Sequence, residues 1–129
     1  NYYLNILSKG LFSIEFDDIL DETISNGLGN VAFDTLSGGE KKKVSLAVML
    51  SLNDLLRLSG KEKSNIIFFD EVADSLDREG VKGLCELIDE LKQDKKVFII
   101  SHNEYLTSII EDKATELVVK KSQGTTSFS

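Results

Sequence analysis

Proline and tryptophan are missing from this 129-residue chain, and cysteine, methionine and histidine occur once each. Without proline, no turn is set by a locked φ and no helix is cut by a missing N–H, so turns fall to glycine, asparagine and serine. The single cysteine, Cys85, excludes a disulfide within the chain and suits a reducing compartment. Its neighbours Val81, Leu84 and Ile88 read as core, not as a zinc site or a thiol nucleophile. No run of about 18 apolar residues occurs and no charged-then-apolar leader opens the chain, so no membrane partner is expected and the location is expected to be cytoplasmic. Positive charge is also short. Fifteen Lys and Arg against 22 Asp and Glu give a net charge of −7, which argues against holding nucleic acid by bulk charge, so any DNA contact must be local. There is no repeat and no low-complexity linker. The chain begins at Asn1 without methionine, as a cut from a longer protein or processing would explain.

What is present is enough for one domain or a large part of one. At 41% apolar residues, a chain of this length buries roughly two thirds of its unfolded surface. Tyr2 to Leu7 is a short apolar stretch stopping at Ser8-Lys9-Gly10, read as the tail of a longer helix with Gly10 just past its end. Phe12, Ile14 and Phe16 alternate with Ser13 and Glu15, the period of a half-buried strand. Asp17 to Asn30 is acidic and ends in the turn-rich Asn26-Gly27-Leu28-Gly29-Asn30, after which Val31-Ala32-Phe33 offers a second strand of a hairpin or small sheet. Glu40 to Leu58 carries apolar residues around so much of a helix that burial on several sides is expected. Ser59-Gly60 ends it, and a charged loop follows.

Ile66 to Phe69 is a continuous apolar run, as in a parallel strand covered on both faces. Val81, Leu84, Ile88 and Leu91 mark an amphipathic helix, and Val97 to Ile100 a second buried strand. Together they make a βαβ unit, for which a right-handed crossover is expected. Asn103 can cap a short helix bearing Tyr105, Leu106, Ile109 and Ile110. Leu117-Val118-Val119, Gln123-Gly124 and Thr125 to Phe128 read as a closing hairpin.

Three places carry chemistry. Leu36-Ser37-Gly38-Gly39-Glu40 sets two glycines at a helix start, where bare N–H groups let an anion approach without meeting a Cβ. Alone, the same residues also describe a tight turn leading into a helix. Asp70 and Glu71 end a buried strand, where open α/β sheets place ligands. Alternation points their carboxylates differently, which suits one to Mg²⁺ and the other to polarising a water. Their plain alternative is the start of a solvated loop. His102 follows the next strand; a lone histidine is more often structural, but its place one strand beyond Asp70-Glu71 favours the site. Lys41, Lys42 and Lys43 crowd the first turns of a helix, where cations oppose the dipole. A solvated face is favoured over a response to nucleotide or a local contact with the DNA backbone.

In order, Leu36 to Glu40, Ile66 to Glu71, Ser75-Leu76-Asp77 and Ile99 to His102 resemble the signature motif, Walker B strand, D-loop and switch-histidine segment of the ABC ATPases. The resemblance implies an α/β fold, the C-terminal lobe of a P-loop ATPase domain, with a mostly parallel sheet flanked by helices and small β hairpins near both ends. It implies ATP and Mg²⁺ as ligands, Asp70 on the metal, Glu71 and His102 as catalytic groups, and Ser37, Gly38, Gly39, Glu40 and Asp77 at the nucleotide. A Walker A loop is absent. The only Gly-Lys pair, Gly60-Lys61, has Leu55 where the first glycine should stand and Glu62 where a hydroxyl should. Little or no ATP turnover is therefore expected of this chain alone.

Glu40 in place of the glutamine common in transporters, and Val72-Ala73-Asp74 without proline, resemble the SMC and SbcC-like branch, where Walker A and signature lie at opposite ends of a coiled coil. Residues 1–10 would then end a coiled-coil helix, 11–35 form a small β region, and 36–129 the lobe with the four motifs. Asp70 to Asp77 and Ser101 to Glu104 look closest to the SbcC-like large subunit of phage and bacterial recombination exonucleases. That implies a bacterial or phage-infected cell or its nucleoid. The partners implied are the N-terminal Walker A half, a second head in a homodimer, DNA and a nuclease subunit. The alternatives are an SMC-type chromosome organiser and a scaffold head that hydrolyses nothing.

Overall fold

The computed structural model describes residues 1–60, 65–122 and 125–128. Lys61 to Ser64, most of the expected charged loop, and Gln123-Gly124 at the expected hairpin turn lie outside them. Helix α1 (Tyr2–Ser8) buries Leu4 and Leu7 and ends on two left-handed residues, Lys9 at φ 54° and Gly10 at φ 77°. The expected glycine stop is thus shared with a lysine, and the Gly10 N–H donates to Asn5 O at 3.1 Å. Inside the last turn, Ser8 is buried with its hydroxyl donating to Leu4 O at 2.7 Å.

An antiparallel meander follows: β1 (Ser13–Phe16), β2 (Glu22–Ser25) and β3 (Asn30–Val31). Its middle strand lies inside the stretch read as an acidic connection and is held by Ile24, which is fully buried. The expected strand at 31–33 is shortened, since Phe33–Thr35 turns into a 3-10 helix leading to the signature residues.

Helix α2 runs Gly38–Leu58, and Val44, Leu46, Ala47 and Leu50 reach the core. Burial on several sides is not found beyond Leu50: Leu52, Leu55, Leu56 and Leu58 are exposed. Strands β4 (Ile66–Asp70) and β5 (Lys96–Ile100) pair in parallel, Phe68 opposite Phe98 and Asp70 opposite Ile100, with α3 (Arg78–Leu91) between them in sequence. The fold is α/β, a parallel pair with helices, as expected.

Neither strand is covered on both faces. Ile67 and Phe69 lie in the core, but Ile66, Phe68, Phe98 and Ile100 are 44%, 65%, 41% and 53% exposed, and the two phenylalanine rings stack at 4.9 Å. Parallel sheets are found almost only with both faces covered. The expectation of a strand covered on both faces is therefore not met: Ile66 to Phe69 is a parallel strand, but only its Ile67 and Phe69 face is packed.

Helix α1 crosses α3 at Gly83, where a Cβ would fall 2.9 Å from Ile6 O, so only glycine allows the two backbones to meet. Helix α4 (Glu104–Ile110) buries Leu106, and β6 (Val119–Ser122) pairs antiparallel with β7 (Thr125–Phe128) as the closing hairpin. Among the described residues no helix is long and apolar enough to cross a membrane.

Candidate functional site

Ser37 has an extended backbone and caps α2. Its hydroxyl accepts from the Glu40 N–H at 3.3 Å, and the Glu40 carboxylate accepts from the Ser37 N–H at 2.7 Å, closing a capping box. The hydrogen bonds from Ser37 hold the Glu40 carboxyl below the usual range. Helix α2 therefore begins at Gly38 and not at Glu40, and the two glycines are its first turn. Neither glycine N–H has a partner among the described residues, as an anion seat at a helix N-terminus requires. A Cβ on Gly38 would meet nothing within 4 Å, whereas one on Gly39 would fall 2.9 Å from Ser75 O. The second glycine thus lets the signature turn lie against the D-loop residues.

Asp77 caps α3 by accepting the Gly80 N–H at 2.8 Å. Its carboxylate also meets Lys43 Nζ at 3.0 Å, and this bond, with the Gly80 N–H, holds the Asp77 carboxyl below its usual range. Lys43 is only 8% exposed, which corrects the reading of Lys41 to Lys43 as a solvated face. Lys41 lies over the Phe33 ring at 5.8 Å, so cations at this unfavourable helix end are engaged sideways. Sequence reasoning missed Lys43 because a lysine run carries no sign of burial. The available signal was Gly80, whose missing side chain leaves room for the lysine: a Cβ there would fall 2.7 Å from Lys43 Cε.

Asp70 is the last residue of β4 and is exposed. Glu71 follows with φ 50°, a left-handed backbone rare outside glycine, and its N–H donates to Ile100 O at 2.8 Å. The parallel ladder is thereby carried one residue past the strand, and the turn sends the Glu71 side chain toward the next loop. There His102 Nε2 lies 3.7 Å from Glu71 Oε1, both side chains largely exposed. Asn103 ties the two loops together: its Oδ1 caps α4 by accepting the Leu106 N–H at 2.9 Å, and its Nδ2 donates to Ala73 O at 3.3 Å. That second bond was not foreseen.

No group of three or more metal-ligating side chains occurs among the described residues. A lone exposed carboxylate such as Asp70 still fits Mg²⁺, which takes one or two carboxylates and completes its octahedron with water and phosphate oxygens. The structure thus brings Glu71 to His102, with Asp70 adjacent, and lays Gly39 against Ser75 while Lys43 joins α2 to Asp77.

The parallel βαβ unit with two acids and an imidazole at its carboxyl end, and the separate glycine-edged helix start, fit an ABC-type ATPase head of the SMC and SbcC-like kind, and it is the similarity of sequence that shows this class. Residues 4–127 match the model of the RecF/RecN/SMC N terminal domain, and the chain belongs to that family. It is 32% identical over 107 residues to exonuclease subunit 2 of Enterobacteria phage T4, covering 81% of this chain and 19% of that protein. It is 33% identical over 107 residues to the probable exonuclease subunit 2 of Escherichia phage T5, covering 79% of this chain and 17% of that one. The chain thus spans under a fifth of these relatives' length. A crystal structure of an SMC head bound to the C-winged helix domain of ScpA superposes with a TM-score of 0.74 at 18% identity, over 99% of this chain and 39% of that one. At that identity the likeness is one of fold.

Proposed function

We propose that this chain is the signature-bearing half of an SbcC-like ATPase head that binds and hydrolyses ATP, pairs with a second head around the nucleotide, and couples that pairing to DNA and a nuclease subunit. The observation that carries this is a half-built site. The acids, the imidazole, Ser37 and Gly38 are exposed, while the sheet behind them is covered on one face alone. The missing cover is the N-terminal half with the Walker A lysine, which fits relatives several times longer than this chain. In this reading residues 1–10 end the coiled-coil helix, 11–35 are its β region and 36–129 the lobe, working inside the cell without a membrane.

In that assembly Glu71 accepts a proton from the attacking water as the new bond to the γ-phosphorus forms and the bond to the ADP oxygen breaks. His102, held by the Asn103 loop, donates from its imidazole to a γ-phosphate oxygen. Asp70 would hold Mg²⁺, which would supply charge neutralisation at the phosphates. Ser37, Gly38 and Gly39 present their donors to the nucleotide of the other head, and Asp77 holds the D-loop beside them, so ATP joins the heads and hydrolysis releases them.

Light scattering of the complete ATPase with ATP tests the pairing. Ser37→Arg, which puts bulk and a cation in the seat without touching the core, is expected to abolish ATP-driven pairing; pairing as in the wild type contradicts this geometry. A second reading, a chromosome-organising ATPase without nuclease, shares the same fold. Co-purification of a nuclease subunit with the complete protein separates the two.

A further inference from the structure

We propose that the groove between α2 and the meander of β1, β2 and β3 is a docking surface for a partner protein that presents an amphipathic helix flanked by basic residues. The groove encloses about 430 Å³ and is walled by Ile14, Phe16 and Phe33 on the meander side and by Val48, Met49 and Leu52 on α2. Of the ten side chains that line it, only Glu22 and Ser45 are polar. Phe16, Met49 and Leu52 are each about half exposed, a contiguous apolar surface of the kind that marks an interaction site. It shares no residue with the bare sheet face of Phe68 and Phe98 or with the acids and imidazole at its end.

Charge and the sheet edge define the occupant. Between Gly10 and Gly39 there is no Lys or Arg, while Glu15, Asp17, Asp18, Asp21, Glu22 and Asp34 are all exposed. None of the six makes an ion pair among the described residues. Glu22 lines the groove opposite Phe16, and Asp17 to Asp21 joins their two strands, so the acids gather at that mouth. Asp17 fixes this loop by accepting the Ile19 and Asp21 N–H groups, each at 2.9 Å, and Ile19 and Leu20 stand bare beside them. On α2, Lys41 over the Phe33 ring and Lys42 oppose this charge only in part. A basic partner is therefore attracted and an acidic one repelled. Strand β1 is an edge strand, but its edge is closed to another strand. The Asn1 side chain donates to Ile14 O at 2.9 Å and accepts the Ile14 N–H at 2.7 Å, as a neighbouring strand would. What stays open is the side-chain groove, and Val44 to Leu52 spans about 12 Å of helix, the length over which a partner helix sets apolar anchors at i, i+4 and i+7.

The test uses the complete ATPase and a synthetic helical peptide of about four turns, with leucines at i, i+4 and i+7 and lysines on both flanks. A twin carries glutamates in place of the lysines, and binding is read by fluorescence anisotropy at low and high salt. The lysine peptide is expected to bind and the twin to bind at least about tenfold more weakly at low salt, a gap that narrows as salt screens the charges. Met49→Gln with Leu52→Gln is expected to weaken the lysine peptide about tenfold. The same change at Leu55 and Leu58, exposed on α2 but outside the groove, is expected to leave it as in wild type. Asp18→Asn with Glu22→Gln is expected to weaken it about three- to tenfold at low salt alone. Failure of the lysine peptide to bind, the result if another part of the complete protein fills the groove, overturns the proposal, and this arm needs no variant to fold. Equal binding of the two peptides, equal loss from both glutamine pairs, or no loss from the Asp18 and Glu22 pair overturns it too. So does self-association of the complete ATPase that is lost with the Met49 and Leu52 pair, which would make the occupant a second copy.

Discussion

At Glu71 the backbone is bent against the preference of its own residue type. A non-glycine at φ 50° costs roughly 1 kcal/mol relative to glycine, and such strain persists where neighbours over-determine it, here the hydrogen bond to Ile100 O and the Asn103 bridge to Ala73. Glu71→Gly is therefore expected to raise stability in a denaturant titration by about 1 kcal/mol while hydrolysis by the complete ATPase falls about 10²–10⁴-fold. A destabilised Glu71→Gly variant removes the strain argument. The acids and the histidine were legible from the sequence because type and position announced them. The left-handed turn was not, since glutamate carries no sign of φ. Lys43 was misread for a similar reason: its partner Asp77 lies 34 positions away and only the fold joins them. Because Lys43 depresses the Asp77 carboxyl, their pairing contributes stability at pH values above the ordinary aspartate range and loses it as pH falls through the lowered value. Lys43→Met, which leaves the exposed Asp77 solvated, should flatten the acid limb of the stability profile below about pH 4, measured by thermal melts across pH. An unchanged limb means the pair contributes nothing.

Among the elements, those with strong periodicity were foreseen and those fixed by tertiary contact were not. Helix α3 follows directly from Val81, Leu84, Ile88 and Leu91. Strand β2, Glu22-Thr23-Ile24-Ser25, offers one large apolar side chain among polar ones, and it exists because Ile24 reaches the core and both edges are paired. The junction of α1 and α3 is likewise silent in sequence, since Gly83 in mid-helix looks only like a weak helix former. Its function is contact: a methyl there meets Ile6 O and, at 3.1 Å, Leu7 Cα, backbone atoms that cannot rotate away. Gly83→Ala is expected to destabilise by about 1–3 kcal/mol despite its better helix propensity, read as a lowered unfolding midpoint. A gain in stability would show that α1 slides freely over α3. A polar cluster secures the same region from the other side: Asp54 of α2 takes hydrogen bonds from Tyr3 and, at 3.1 Å, from the buried Lys95. Burial pushes the Asp54 carboxyl up, but Tyr3 and Lys95 outweigh it and hold it low.

For the whole molecule, the difference between expectation and structure is itself informative. Ile66 to Phe69 carries the composition of a strand buried on both sides, yet half of it faces outward here together with Phe98 and Ile100. In the proposed reading, that pattern belongs to the sheet of a larger body, of which this chain contributes one cover. The fold class was readable in advance; the bare face was not, because a local pattern cannot say which neighbour covers it. The most direct test is ATP turnover measured for this chain alone and for the complete protein that contains it. The account predicts no turnover by the chain alone and steady turnover by the complete protein that Glu71→Gln suppresses. Steady turnover by the chain alone, suppressed by the same substitution, would contradict it.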